Sequence, residues 1–422
     1  MRRASWGETL RVLVAVLAPI VAQGLIVRRP RMVALVRRWD LERRAAVVLR
    51  RLRWRYQDDD LLLLRVPGRR LVLVLTPDGV RRVLSGAPEP YAPASREKVA
   101  ALGHFQPHGV LVSRGPVRAA RRRYNEAVLD TGQPVHRLGA TIEATIAEEV
   151  AATDLTGELT WDQFSALWWR IVRRTVLGAG ARDDEQLVRL LNSLRADANW
   201  AYLRPRRTAL RERFEERLRW HLDRAEPGSL AAVLAETPAD PDVDPAGQVP
   251  HWLFAFDAAG IAAYRALSLP RTGTRADLAH LQAAVLESVR LWPTTLVLLR
   301  DSTSDVDGVP AGSTYVIVSQ YFTRNLDAIE EPDRFEPERW FSGRAEDNWA
   351  LLPFSRGPAA CPGRNLVLFT TGSLLGRLLE RYEIEPLVPL ESDPLPVTYN
   401  HATLRYRITA RAADRAPAPG SG

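Results

Sequence analysis

The sequence predicts a mainly α-helical fold with a small β region. Three observations predict it. Apolar residues recur at helical spacing through 116–224, 251–267, 275–291 and 364–380. Short apolar runs beside turn signals are confined to 61–75, 297–318 and 384–408. The 422 residues are 46% hydrophobic and 26% charged, a globular balance with room for a large core.

Taken in order, the chain opens on an apolar run, Val12–Val27, broken only by Gln23 and carrying Pro19. Arg2, Arg3 and Arg11 precede it; Arg28, Arg29 and Arg31 follow. It is shorter than the about 20 residues a spanning helix needs. No small-residue cleavage site follows, which argues against a secretory signal. A packed helix, an interfacial helix with basic flanks and a true anchor all stay open. Leu61–Val66 and Leu71–Leu75 flank Pro67-Gly68 and read as a hairpin. Thr76-Pro77-Asp78 reads as a helix start, with Val80, Val83 and Leu84 on one face. Residues 86–114 are loop-rich, and helices dominate from Pro116 to about Arg224. The stretch 226–250 reads as a surface loop. Helices return at His251–Leu267 and Arg275–Leu291, then short strands within Val297–Val318. Residues 325–360 are proline-punctuated coil, Arg364–Glu380 is a last long helix, and Ile384–Ile408 is strand-like. No internal repeat is present.

The net charge is +8, from 58 basic and 50 acidic residues. Lys98 is the only lysine, so the positive charge is almost all arginine. GC-rich base composition explains that bias; an acidic partner is the functional alternative. No basic stripe interleaved with aromatics is present, so no nucleic-acid partner is expected. Cys361 is the only cysteine, which excludes an intrachain disulfide and a cysteine-based zinc site.

Cys361 sits in Pro353-Phe354-Ser355-Arg356-Gly357-Pro358-Ala359-Ala360-Cys361-Pro362-Gly363-Arg364-Asn365. Gly357 and Gly363 admit backbone conformations closed to other residues, and Pro358 and Pro362 stiffen the loop. A helix begins just after the cysteine. A thiol there lies near free N–H groups and the positive dipole end, which favour the thiolate. A buried cysteine serving as a small hydrophobe is the alternative.

The pattern F-x-x-G-x-x-x-C-x-G, from Phe354 to Gly363, resembles the haem-binding signature of the cytochrome P450 family. Glu287-Ser288-Val289-Arg290 is similar to its E-x-x-R, and Phe335–Trp340 resembles its P-E-R-F/W segment. Gly115-Pro116-Val117-Arg118 through Arg123 resembles the G-P-E-H-x-x-x-R stretch of bacterial members. The chain thus resembles a bacterial, actinomycete-like member, with the family's helical prism holding haem between distal and proximal helices. The resemblance implies haem b, with Cys361 as the axial ligand of its iron and Phe354 and Gly363 against the cofactor. A thiolate ligand pushes electron density to iron and favours O–O cleavage. The resemblance also implies that Arg118, Arg122 and Arg300 bind haem propionates, and that Glu287, Arg290 and Arg339 form a buried structural triad.

The distal helix of the family reads A/G-G-x-D/E-T. The matching stretch here is Ala259-Gly260-Ile261-Ala262-Ala263, so Ala259 and Gly260 are the expected catalytic pair, at a local helix distortion. The acid and alcohol that relay protons are replaced by Ala262 and Ala263, which carry no polar atom. Asp257 is an upstream substitute. The interval from Gly260 to Glu287 is short for the family, with 265–277 clipped. Ala359 stands where many members place a propionate ligand, and Arg356 is a nearby replacement.

The resemblance implies a single haem-thiolate oxidoreductase domain over 31–412, after a hydrophobic and basic segment 1–30 and before a disordered tail 413–422. It implies an oxygen- and NAD(P)H-dependent monooxygenase of an apolar small molecule. Peroxide-driven chemistry, or haem binding without turnover, is the alternative. Phe105, Phe254, Leu296, Val297 and Tyr399 are candidate substrate contacts or plain core. Electrons would come from a ferredoxin- or flavodoxin-type donor docking near Arg356, Arg364 and the 118–123 helix. The expected location is cytoplasmic, with residues 10–27 open to peripheral membrane contact.

Overall fold

The computed structural model describes residues 1–269, 277–341, 343–390 and 394–411. Among the described residues helices dominate, and nine strands form two sheets. The larger sheet comprises β1 (Arg2–Arg3), β2 (Leu61–Val66), β3 (Arg69–Val74), β4 (Tyr91–Ala92), β6 (Val297–Ser302) and β7 (Thr314–Val318), in the order β1-β2-β3-β7-β6-β4. The smaller has β5 (Gly157–Thr160), β9 (Arg405–Ala410) and β8 (Tyr382–Pro386), in that order.

The predicted hairpin is β2–β3, in register from Leu61 opposite Val74 to Val66 opposite Arg69. Gly68 turns it at a φ of +69°, a region that glycine enters without penalty. The next helix, Pro77–Ser85, starts where expected. Thr76 caps it by accepting the Gly79 N–H, and Val80, Val83 and Leu84 are buried. The β6–β7 pair sets Arg300 opposite Tyr315. β7 in turn lies parallel to β3.

Two apolar cores result. One lies among the helices, around Trp168, Phe256, Val285, Leu374 and Leu378. The other lies against the larger sheet and takes in Val12, Val16 and Ile20. Those three come from the N-terminal helix Trp6–Gln23, which is long and apolar enough to cross a membrane. Its first turn is a capping box between Ser5 and Glu8. Just before Pro19 it widens by one residue, and the Ala18 N–H reaches Leu13 O. The wider turn accommodates a ring that removes a donor and crowds the preceding carbonyls. Trp6, Leu10, Val14 and Val21 stay exposed on the outer side. The helix thus packs through one face and leaves an apolar face exposed.

Three expectations need correction. The supposed loop 226–250 contains the helix Leu230–Glu236, capped by Ser229 and burying Leu230, Ala231, Val233 and Leu234. Seven residues between proline-rich flanks carry too little periodicity to be seen. The helical region holds β5, fixed by antiparallel pairing with distant β9 rather than by local pattern. The helix expected from Arg275 begins at Leu278, after Asp277 caps it through the His280 N–H. Within the segment expected to be clipped, the preceding helix ends at Ala266, and residues 270–276 lie outside the described residues, as does the 413–422 tail.

Candidate haem-thiolate site

The cysteine loop gains its shape from strained and constrained backbone. Phe354, Ser355 and Gly357 all have positive φ, at +62°, +61° and +70°. A side chain on Gly357 would sit 2.3 Å from Leu84 O, so the loop abuts the end of the 77–85 helix as only glycine allows. The Cys361 N–H then bonds Phe354 O at 2.9 Å and closes the turn. Gly363 differs from expectation. Its φ is −89° and a Cβ there meets only Leu129 at 3.8 Å, so its backbone is open to any residue.

Cys361 is half-buried, just ahead of the helix Arg364–Arg381. Burial raises its thiol pKa; the Gly363 N–H, Arg122 and Arg364 offset that in part. Desolvation therefore outweighs the helix-end effect read from the sequence, and a bound cation is what deprotonates such a thiol outright.

The predicted arginines converge unequally. Arg118 and Arg300 are 7% and 2% exposed, and each keeps a buried Nε with no hydrogen-bond partner. Burial, then Arg118, lowers Arg300 to about 10. Burial, then Arg122, lowers Arg118. Two such cations side by side call for an anion between them. Arg122 is committed elsewhere: it donates to Glu126 Oε1 and, at 2.6 Å, to Ala360 O. It thus steadies the residue before Cys361. Arg356, the expected replacement at Ala359, points away and donates to the carbonyls of Ala345, Glu346 and Leu351.

Glu287, Arg290 and Arg339 do assemble. Arg290 and Glu287 pair at 2.6 Å with both side chains 0% exposed, and Arg339 Nε joins at 3.1 Å. Trp340 Nε1 and the Glu336 N–H complete the shell of Glu287. Arg290 also donates to the carbonyls of Thr323, Pro332 and Arg334. The network ties the 278–291 helix to the coil that leads into the cysteine loop. Trp340 is a member that the sequence reading missed, although its side chain lay in the quoted segment.

The helix Val249–Ala266 runs unbroken, so the distortion expected at Ala259-Gly260 is not there. Its half-buried side chains His251, Phe254, Ala255 and Ala258 share one face. Gly260 lies about 200° around from Ala258. A Cβ on it would meet the Trp168 ring at 2.6 Å, and that indole donates to Phe256 O at 2.8 Å. Gly260 therefore admits Trp168, and Ala259 is buried in the helical core. Ala262, next along the half-buried face, and Ala263 are buried and apolar. Asp257 is drawn aside into a 2.5 Å ion pair with Arg195. Among the substrate candidates, Phe105 and Tyr399 are buried core, Leu296 is buried under the sheet, and Phe254 and Val297 are half-buried. Lys98 and His251 were not singled out from the sequence. Lys98 Nζ donates to Leu299 O at 3.2 Å, and His251 Nδ1 is buried without a partner.

Comparison with known proteins gives this geometry its context. The cytochrome P450 family model matches residues 265–403. Cyclooctat-9-en-7-ol 5-monooxygenase of Streptomyces melanosporofaciens is 31% identical over 117 residues, 26% of either chain. The mitochondrial sterol 26-hydroxylase of Rattus norvegicus is 29% identical over 122 residues, 26% of this chain and 23% of that one. The chain thus spans about a quarter of the length of these curated relatives. A bacterial and a mammalian relative match almost equally, which does not single out an actinomycete origin. A cyanobacterial cytochrome P450 with retinoic acid bound superposes at TM-score 0.64 and 15% identity, covering 85% of this chain and 94% of that one. A six-coordinated cytochrome P450 from Thermus thermophilus gives 0.64 at 20% identity, over 86% and 98%. The cofactor of this family and fold is haem b. Cys361 and the guanidiniums of Arg118 and Arg300, each with an unpartnered Nε, fit it as iron ligand and propionate partners; the Arg300 Nη atoms donate to Leu299 O and Ser355 Oγ. The chain has the fold of the cytochromes P450, and its residues 265–403 match that family's model.

Proposed function

We propose that the chain is a haem-thiolate monooxygenase that oxidises an apolar small molecule. The observation that carries this is the strained 354–363 loop, which delivers Cys361 near two buried arginines that lack an anion. Haem b on a cysteine thiolate supplies dioxygen activation and oxygen-atom transfer. The rest falls to the chain's own residues. Arg118 and Arg300 bind the two propionates and fix the cofactor's rotation. Arg122 holds Ala360 O, and the Glu287–Arg290–Arg339 network holds the approach to the loop. Phe254, Ala255 and Ala258 offer an apolar wall for substrate. Ala262 and Ala263 have no polar side-chain atom and can move no proton, so any proton delivery beside them would fall to water or a substrate hydroxyl.

Electrons come from a separate ferredoxin- or flavodoxin-type protein. Its docking rests on exposed Arg364, since Arg118 is buried and Arg356 is bound to backbone. Arg364→Glu should slow reduction without changing haem content. An unchanged rate would remove Arg364 from the docking face. The location is cytoplasmic, with membrane contact through Trp6, Leu10, Val14 and Val21 beside their flanking arginines.

The test is the ferrous–CO difference spectrum of haem-loaded protein. Wild type should show the red-shifted Soret band of thiolate ligation, and Cys361→Ser should lose it. Haem bound without that band in wild type contradicts the reading. A second reading is peroxide-driven oxidation, or haem binding without turnover. It is favoured by the apolar Ala262 and Ala263 and by Asp257 being tied to Arg195. Product formed with peroxide but never with reductase, ferredoxin and NAD(P)H would select peroxide chemistry; no product with either would select binding alone.

A further inference from the structure

Three elements converge beside the arginine pair: the helix Arg96–Leu102, strand β6 and the start of the helix Val249–Ala266. Each contributes a nitrogen with unspent hydrogen-bonding capacity. Lys98 is the only lysine in the chain. It reaches across to β6, where Nζ has a single neutral acceptor, Leu299 O at 3.2 Å. An ammonium has three N–H donors. Among the described residues no carboxylate lies within ion-pair distance of Nζ. Glu97 is engaged with Arg69, and Asp301 with Arg114, Thr314 and the Arg96 N–H. His251 lies in the first turn of its helix, on the same half-buried face as Phe254, and close enough to Lys98 for their charges to interact. Its Nδ1 is buried without a partner. Phe105 packs edge-on against Phe254 at 5.6 Å, so apolar surface continues directly from this polar pair.

The charges do not cancel once haem is counted. Were Arg118 and Arg300 each to take one propionate, Lys98 would remain. A half-buried ammonium left with one neutral contact is costly, and a buried unpartnered nitrogen adds to that cost. We propose that Lys98 and His251 together bind the carboxylate of an otherwise apolar substrate, whose hydrocarbon part lies along Phe254, Ala255 and Ala258. A carboxylate fits because it carries one charge and two acceptor oxygens, against one ammonium and one ring N–H. The perturbed basicities agree with the placement. Burial, then Lys98, lowers His251 to about 4, and burial, then Arg300, lowers Lys98 well below its usual range. An anion between them relieves both. The inference rests on the haem-enzyme reading and narrows its substrate to organic acids.

The experiment titrates haem-loaded protein with matched pairs, from octanoate with octanol to hexadecanoate with hexadecanol. Calorimetry gives the dissociation constants, and the Soret spin shift shows that the probe sits at the iron. The acid of the best pair should bind about tenfold or more tightly than its alcohol, as one charge-assisted contact predicts. Lys98→Gln should bring the ratio near one, Lys98→Arg should keep it, and His251→Phe should reduce it. Equal binding of acid and alcohol, no binding of any pair, or a ratio untouched by Lys98→Gln would overturn the proposal. So would haem loss in Lys98→Gln with the ratio preserved in the remaining holoprotein, which would assign Lys98 to a propionate. Should Lys98→Gln not fold, Lys98→Arg and His251→Phe decide. The thiolate band of each preparation is scored separately, so a failed haem reading is told apart from a failed acid preference.

Discussion

Arg300 shows how one residue's cost can become its function. It is buried, its Nε has no partner, and a second cation stands nearby. Without an anion that arrangement opposes folding. With a propionate in reach the same guanidinium gains a charge-assisted hydrogen bond, of about 1.5–3 kcal/mol. Arg300→Met should therefore act with opposite signs on the two forms. The haem-free protein should melt no lower than wild type, while haem should dissociate roughly 10- to 100-fold more readily. Thermal melts and haem transfer to an acceptor protein check both halves; an apo form that melts well below wild type would contradict the unpaired-cation argument. His251 gives a pH-dependent counterpart. Its folded-state pKa of about 4 lies below the unfolded value, because burial and Lys98 disfavour the imidazolium. The stability tied to neutral His251 is thus fully present above the unfolded pKa and is lost as pH falls from about 6.5 toward 4, roughly 3–4 kcal/mol in all. His251→Gln should flatten that part of the acid limb in urea titrations at stepped pH. An unchanged limb would mean that His251 is hydrated in solution. Neither residue's state was legible in the sequence. Arg300 was placed by resemblance, but its orphaned Nε is a tertiary fact, and His251 looked like any polar start to an apolar helix.

At the scale of elements, packing explains what local pattern could not. The unbroken 249–266 helix and its glycine are the clearest case. The sequence alone reads Ala259-Gly260 as a weak point in a helix. In the structure the glycine lets the Trp168 indole approach and donate to Phe256 O. Gly260→Ala would ordinarily stabilise a helix by up to about 1 kcal/mol. Here a Cβ 2.6 Å from a nearly inaccessible ring should destabilise the fold by about 1–3 kcal/mol instead. Denaturant melts of haem-free protein decide the sign. The Glu287 network belongs to the same scale, since it joins a helix to a coil that has no periodicity of its own. Its three charged members were named because the two segments resemble the family's motifs, a likeness that needs no tertiary information. Trp340 and the backbone carbonyls bound by Arg290 were not readable, being set only when distant segments meet. Glu287→Ala leaves Arg290 buried without a carboxylate and should cost about 3–5 kcal/mol. A loss under 1 kcal/mol, with haem binding intact, would show that the carbonyls of Thr323, Pro332 and Arg334 suffice to hold Arg290.

For the whole molecule, the N-terminal segment decides where the folding unit begins. By composition alone residues 1–30 are an apolar run between arginine clusters, open to packing, interfacial contact or anchoring, ahead of a domain starting at 31. The structure binds that run into the fold at several points. β1 adds a strand to the larger sheet beside β2. Val12, Val16 and Ile20 enter the sheet-side core. Glu8 accepts from the Tyr56 hydroxyl at 2.9 Å. Arg28 Nη2 reaches Thr294 O at 2.6 Å, and Asn199 holds the backbone of Ile26 and Val27. Burying three aliphatic side chains is worth about 1.5–3 kcal/mol each, before the strand and polar contacts are counted. A protein of this kind has about 5–15 kcal/mol of stability in all. A chain that starts at Arg28 should therefore not behave as a membrane-released enzyme. It should lose most of its stability, show reduced haem incorporation, and appear in aggregates rather than in the soluble fraction. The discriminating variant keeps the inner face and changes only the outer one, with Trp6, Leu10, Val14 and Val21 replaced by glutamine. That protein should fold and load haem like wild type while losing flotation with anionic vesicles. A truncated chain that folds and loads haem normally would make residues 1–27 an appendage. An outer-face variant that still floats would move the membrane contact to another surface.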